Sequence, residues 1–137
     1  MKYKTIDHTA DIGIEVFGFK LEDLFENAAF AMYDLLTDTG TLLSLSETSI
    51  TVTGQDWPDL MVNWLRELLY LFTGKAMLVK STKIISLSEF TITANIKYED
   101  FVSGCHIIKN EIKAVTYHQI KVEPAGSKWK ARIIFDV

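Results

Sequence analysis

Asp7, His8 and Asp11 crowd into the stretch YKTIDHTADIGIEVFG, directly ahead of an alternating run in which Ile12, Ile14 and Val16 interleave with Gly13, Glu15 and Phe17. Two carboxylates and an imidazole at the mouth of a strand are groups that bind cations or move protons. The far end of the chain carries a second concentration of negative charge. Asp136 is followed at once by Val137 and its terminal carboxylate. Neighbouring anions repel unless a cation or a donor neutralises them, and carboxylate oxygens are the ligands that hard cations such as Ca²⁺ and Mg²⁺ take. If the first strand lies beside the last, the two ends form one acidic site. Otherwise the terminal carboxylate is simply solvated, and DHTAD is a turn whose Asp11 satisfies backbone N–H groups.

The remaining candidates are weaker. The histidines His8, His106 and His118 are far apart in sequence, and no G-x-S-x-G elbow, Walker A loop, H-E-x-x-H or Rossmann glycine pattern accompanies them. A metal-dependent hydrolase built on His8, Asp11 and His118 therefore ranks low. The pairs Asp23/Glu26 and Glu99/Asp100 read as solvated helix and turn faces. Lys113, in the alternating run EIKAVTYHQIKV, shares a side with Val115, Tyr117, Gln119 and Lys121. It is either a solvated lysine or one offered to a phosphate or a partner's carboxylate. Cys105 is the only cysteine, so an internal disulfide is excluded and a cysteine zinc site lacks its partners.

These residues are positioned by a chain of 137 residues, expected to form a single domain over 1–137. Hydrophobic residues make up 48% and the mean hydropathy is +0.13, which excludes disorder and leaves apolar surface to spare. The net charge of −4 and scattered Lys and Arg argue against strong direct binding of nucleic acid, which needs clustered cations. The most apolar stretch, LMVNWLRELLYLF, is interrupted by Asn63, Arg66 and Glu67 and is too short for a bilayer. With no secretory signal, span or disulfide, the expected compartment is the cytoplasm.

Apolar residues from Leu21 to Leu36 recur at three- and four-residue spacing and predict a first helix. GQDWPDL predicts a second helix running to about Phe72, with Asp56 as N-cap, Pro58 in the first turn and Gly74 as a left-handed stop. Strands are expected at Ile50–Gly54, Met77–Val79, Phe90–Tyr98, within Glu111–Val122, and at Trp129–Val137. Ser81–Ser88 reads as a loop tip, and EPAGSK as the turn of an antiparallel hairpin. The expected class is α+β: a mostly antiparallel β-sheet with two α-helices packed on one face.

Taken together and in order, DHTADIGIEVFG, WPDLMVNWLRELLYLF, EIKAVTYH and the final ARIIFDV resemble the archease family over nearly the whole chain. The resemblance implies a non-catalytic helper of an RtcB-type RNA ligase, the enzyme that joins 2′,3′-cyclic phosphate and 5′-hydroxyl ends in tRNA splicing and RNA repair. Such a helper promotes the ligase's metal-dependent guanylylation and its multiple turnover. The family's metal site maps onto Asp11, Asp136 and the carboxylate of Val137, and an activity-linked lysine onto Lys113. The implied ion is divalent, with Ca²⁺ favoured and Mg²⁺, Mn²⁺ or Zn²⁺ open. Asp7 and His8 would then support the loop without touching the ion. The alternative within the same resemblance is a chaperone-like modulator of another tRNA-processing enzyme, such as a tRNA methyltransferase. Contact with tRNA would be indirect in either case, and no membrane is involved.

Overall fold

The computed structural model describes residues 1–6 and 10–137. Its two helices fall where the apolar stripes predict them: α1 at Leu21–Leu36 and α2 at Trp57–Thr73. The residue preceding α1, Lys20, has no side-chain acceptor to offer, so Asp23 reaches back and takes the Lys20 N–H at 3.1 Å. Glu22 and Asp23 also complement the positive end of the helix dipole. At α2 the Asp56 carboxylate caps the Asp59 N–H at 2.8 Å, with Pro58 in the first turn. The end of α2 differs from expectation. Gly74 is right-handed at φ −102°, and the left-handed residue is Ala76 at φ 56°. Gly74 serves close approach instead, because a Cβ there would collide with the Tyr70 ring.

The helices are cross-linked in both directions. The Tyr33 hydroxyl of α1 donates to the Leu68 carbonyl of α2 at 2.6 Å, and the Trp64 indole of α2 donates to the Phe25 carbonyl of α1 at 2.9 Å. Both side chains are fully buried, so each polar atom needs this partner. Burial pushes the Tyr33 hydroxyl pKa far above its ordinary value.

The strands are β1 (Tyr3–Ile6), β2 (Asp11–Gly18), β3 (Ser46–Thr53), β4 (Met77–Ser88), β5 (Thr91–Asp100), β6 (Ala114–Val115), β7 (Lys121–Ala125) and β8 (Lys128–Asp136). All pairings between them are antiparallel, as the α+β reading requires. They divide between two sheets, however. A five-stranded sheet runs β1-β2-β8, with β6 and β7 both along the other side of β8, and a three-stranded sheet runs β3-β5-β4. Each helix packs against strands of both sheets. One core cluster joins all the layers through Ile14, Phe25, Trp64, Ile96 and Phe135. Among the described residues, no helix is long and apolar enough to cross a membrane.

Two strand expectations are corrected. Ser81–Ser88 is no loop tip but the outer part of β4. Register shifts between Val79 and Ser81 and between Ile84 and Ser86 break its alternation, which hides the strand from a period-two reading. The true tip is Glu89–Phe90, at φ 29° and 63°, both in the left-handed region that a two-residue hairpin turn demands. Phe90 tolerates this because its ring packs edge-on against Trp57 at 4.8 Å and its carbonyl accepts the Gly54 N–H at 2.9 Å. Glu111–Val122 is likewise not one long strand. After β6 the chain turns through Tyr117–Gln119, with Gln119 at φ 54°, before resuming as β7. The β7–β8 hairpin is present as expected, tightly closed by Gly126 at φ 67°. Its Pro124 sits on an edge strand, where the missing N–H leaves no ladder bond unmade.

Candidate functional site

The alternation along β2 and β8 sorts their residues onto two faces. Ile12, Ile14 and Val16 face the core opposite Phe135, Ile133 and Ala131, while Asp11, Glu15, Asp136, Arg132 and Lys130 lie on the outer face. The register puts Asp11 directly opposite Asp136. Directly opposed residues of an antiparallel pair have Cβ atoms roughly 4.5–5.5 Å apart, close enough for two carboxylates to share a ligand. Ala10, in the left-handed region at φ 67°, leads the chain into this position. On the other side of Asp136 lies β6, with Ala114 opposite it and the Lys113 N–H donating to its carbonyl at 2.8 Å.

Charge is handled differently along this face. Glu15 meets Lys130 at 3.6 Å and Lys4 at 3.9 Å. Asp136, exposed at the strand end, makes no ion pair among the described residues. Like charges set directly opposite each other are unfavourable in a sheet. Val137, the next residue, packs its side chain against the core. Among the described residues, no three Asp, Glu, His or Cys side chains converge on a metal position; the two aspartates and the terminal carboxylate would together offer three carboxylates. That all-oxygen set fits a hard divalent cation and leaves coordination positions over, since Ca²⁺ takes 6–8 oxygens. Asp7 and His8 lie outside the described residues.

Lys113 is exposed, and its side chain borders a shallow groove of about 310 Å³ with Arg66, Leu69, Tyr70, Thr73, Ala114 and Val115. Its neighbourhood is thus a helix face, which no strand-only reading of EIKAVTYH could reveal. Arg66 is the residue the sequence reading missed. Its Nε donates to the Val115 carbonyl at 3.0 Å and its guanidinium lies over the Tyr117 ring at 4.7 Å. Tyr117 in turn donates its hydroxyl to Asp59 at 2.7 Å. That bond holds the Asp59 carboxyl below its usual range and raises the Tyr117 hydroxyl. The only sequence signal was an arginine on the polar side of α2.

Among the described residues, His106 and His118 have separate surroundings. His118 is exposed in the turn after β6, and its backbone N–H donates to the Thr116 hydroxyl at 3.2 Å. His106 staples loops: its Nδ1 accepts the Val102 N–H at 2.9 Å and its Nε2 meets Glu99 at 3.2 Å. Glu99 also accepts the Leu43 N–H at 2.9 Å, and Glu26 accepts the Ile84 N–H at 2.8 Å. These carboxylates are backbone acceptors, a more specific role than the solvated faces expected of them. Cys105 is exposed.

Residues 3–137 match the family model described as Archease protein family (MTH1598/TM1083). The protein archease of Archaeoglobus fulgidus is 36% identical over 137 residues, covering 100% of both chains. That of Methanosarcina acetivorans is 35% identical over 140 residues, covering 99% of this chain and 96% of its own. Among solved structures, protein 1598 of Methanobacterium thermoautotrophicum superposes with a TM-score of 0.84 at 31% identity, covering 99% of each chain. An archease of Thermotoga maritima, described as a possible chaperone, gives 0.66 at 25% identity, covering 98% of this chain and 96% of that one.

Proposed function

The chain belongs to the archease family, and on that premise we propose that it is a non-catalytic accessory protein that activates an RtcB-type RNA ligase. The observation that carries the reading is the Asp11–Asp136 register, which closes the two ends of the chain into one acidic tip. Asp11, Asp136 and the carboxylate of Val137 would hold a divalent cation, with Ca²⁺ the favoured ion. A hard cation held this way supplies positive charge to oxygen ligands of a partner protein or its nucleotide. The protein's own contribution is positional. The β2–β8 ladder fixes the two aspartates, the Lys113 N–H donates to the Asp136 carbonyl, and the partly buried Val137 side chain anchors the last residue.

The tip is small and polar, which suits a helper that binds, acts and leaves. The test is ligase guanylylation and RNA joining with and without the chain, in the presence of divalent cation. Added chain should raise both the rate of guanylylation and the number of turnovers. A cognate ligase that responds to neither would overturn the reading.

A second reading is a chaperone-like modulator of another tRNA-processing enzyme, in line with the description of the Thermotoga protein. Its support is the exposed apolar side chains Leu43, Leu45, Val102 and Ile107, carried on two loops that Glu99 ties together. This activity needs no cation. A doubly substituted Asp11→Ala/Asp136→Ala protein that still suppresses aggregation of such an enzyme would favour it.

A further inference from the structure

Arg66 is held in place at two points, yet its outer edge remains available. Its Nε is committed to the Val115 carbonyl and its plane rests on the Tyr117 ring. Tyr117 is itself fixed by Asp59, which also accepts N–H groups from Gln55 and Asn63. The two terminal nitrogens of the guanidinium make no hydrogen bond among the described residues, and the side chain is exposed. An arginine normally surrenders much side-chain freedom when it binds; this one has surrendered it already. Beside it lies the groove floored by Leu69, Tyr70 and Val115, with Thr73 and Lys113 along its border. Tyr70 is half exposed, with the Lys75 ammonium 6.0 Å from its ring centroid.

We propose that this groove is an anion-docking site, in which Arg66 receives a carboxylate side chain of a protein partner and Lys113 pairs with a neighbouring one. A fixed guanidinium offers two parallel N–H donors, the geometry that matches a carboxylate. The apolar floor suits the aliphatic stem of a glutamate or aspartate. The surroundings disfavour a nucleic-acid strand, because the groove is short and has only two bordering cations; the acidic tip lies beside it, where the Lys113 N–H donates to the Asp136 carbonyl. A polyphosphate backbone needs a longer cationic track. A partner with an acidic segment beside its own cation-binding surface would match groove and tip together, which sets orientation as well as affinity. This docking role rests on the accessory function proposed above, while the groove's preference for carboxylate stands apart from it.

The experiment therefore has two arms. In the first, the isotopically labelled full chain is titrated with a tetraglutamate peptide, and separately with inorganic phosphate, while amide NMR signals are followed. Tetraglutamate should shift the amides of Arg66, Tyr70, Thr73, Lys113 and Ala114. In Arg66→Gln those shifts should disappear, while the dispersed amide spectrum elsewhere shows that the chain remains folded. Absence of groove shifts with the peptide, or shifts with phosphate alone, would overturn the proposal. In the second arm, affinity for the ligase is measured by calorimetry at low and high salt. Arg66→Gln and Lys113→Gln should each weaken binding at least fivefold and flatten its salt dependence. Unchanged affinity in Arg66→Gln would overturn the docking role. If the parent chain bound tetraglutamate in the groove but had no effect on the ligase, the accessory function would fall and the carboxylate site would stand.

Discussion

The two sheets are built from different parts of the chain and do different work. The three-stranded sheet comes from the middle: β4 and β5 form a hairpin with each other, and β3 joins across the second helix. It supplies buried apolar residues such as Ile92, Ala94 and Ile96, and none of the candidate site residues. The five-stranded sheet brings Tyr3–Gly18 against Ala114–Asp136 and so unites the two ends of the chain. All the metal candidates within the described residues, and Lys113 with them, lie at one end of it. A site assembled at the junction of distant segments exists only when the whole fold has closed. The difference predicts that equivalent insults to the two sheets will separate function from stability.

The largest contrast should come from the tip. Asp11→Ala and Asp136→Ala should each reduce ligase stimulation to the level without the chain. For Asp136→Ala thermal melting should change little, because the side chain is exposed and surface substitutions usually fall within about ±0.5 kcal/mol. Guanylylation assays beside melting curves check both halves. In the other sheet, Ile96→Ala removes a fully buried side chain. It should cost about 2–5 kcal/mol of stability, read by denaturant unfolding, with stimulation per folded molecule unchanged. If Ile96→Ala silenced stimulation while the protein remained folded, the division of labour between the sheets would be wrong.

A finer cut tests how the tip is completed. One glycine appended after Val137 leaves every side chain in place and moves only the terminal carboxylate. Cation affinity, measured by calorimetry, should fall about tenfold or more, because the number of charged ligands sets affinity over decades. Normal affinity and normal stimulation in the extended chain would remove the terminal carboxylate from the site.

The same contrast explains what was legible before the structure. Both helices and their starts could be read, since apolar spacing, Asp56 and Pro58 are local signals. The β7–β8 hairpin was legible for the same reason. The outer half of β4 was not, because two register shifts carry side chains out of the alternation that marks a strand. The run Glu111–Val122 erred the other way: its alternation continues through Tyr117–Gln119, where the backbone turns. At the site, Asp11 and Asp136 stood out by type, but their direct opposition depends on a β2–β8 register between opposite ends of the chain. Arg66 carried no local mark at all. Its fixed pose depends on the Val115 carbonyl and the Tyr117 ring, both from a segment distant in sequence.

The smallest expected effect belongs to the three-stranded sheet and concerns one of its fastenings, Glu99. The Leu43 N–H bond, assisted by His106, holds the Glu99 carboxyl below its ordinary value of 4.5, against the opposing effect of desolvation. A depressed folded-state pKa means that the unfolded chain binds the proton more readily. The stability contributed by Glu99 is therefore fully present above pH 4.5 and is lost as pH falls through the lower folded value. Glu99 remains partly exposed, so solvent screening reduces the contribution. The effect should be local: as pH drops below 4.5, the Leu43 amide signal should shift and its hydrogen exchange should lose protection. Glu99→Gln should remove that pH dependence while the Asp11 and Asp136 variants retain it. If the tip variants altered the Leu43 titration as strongly as Glu99→Gln does, the two sheets would be electrostatically coupled, and the separation of scaffold from site would have to be given up.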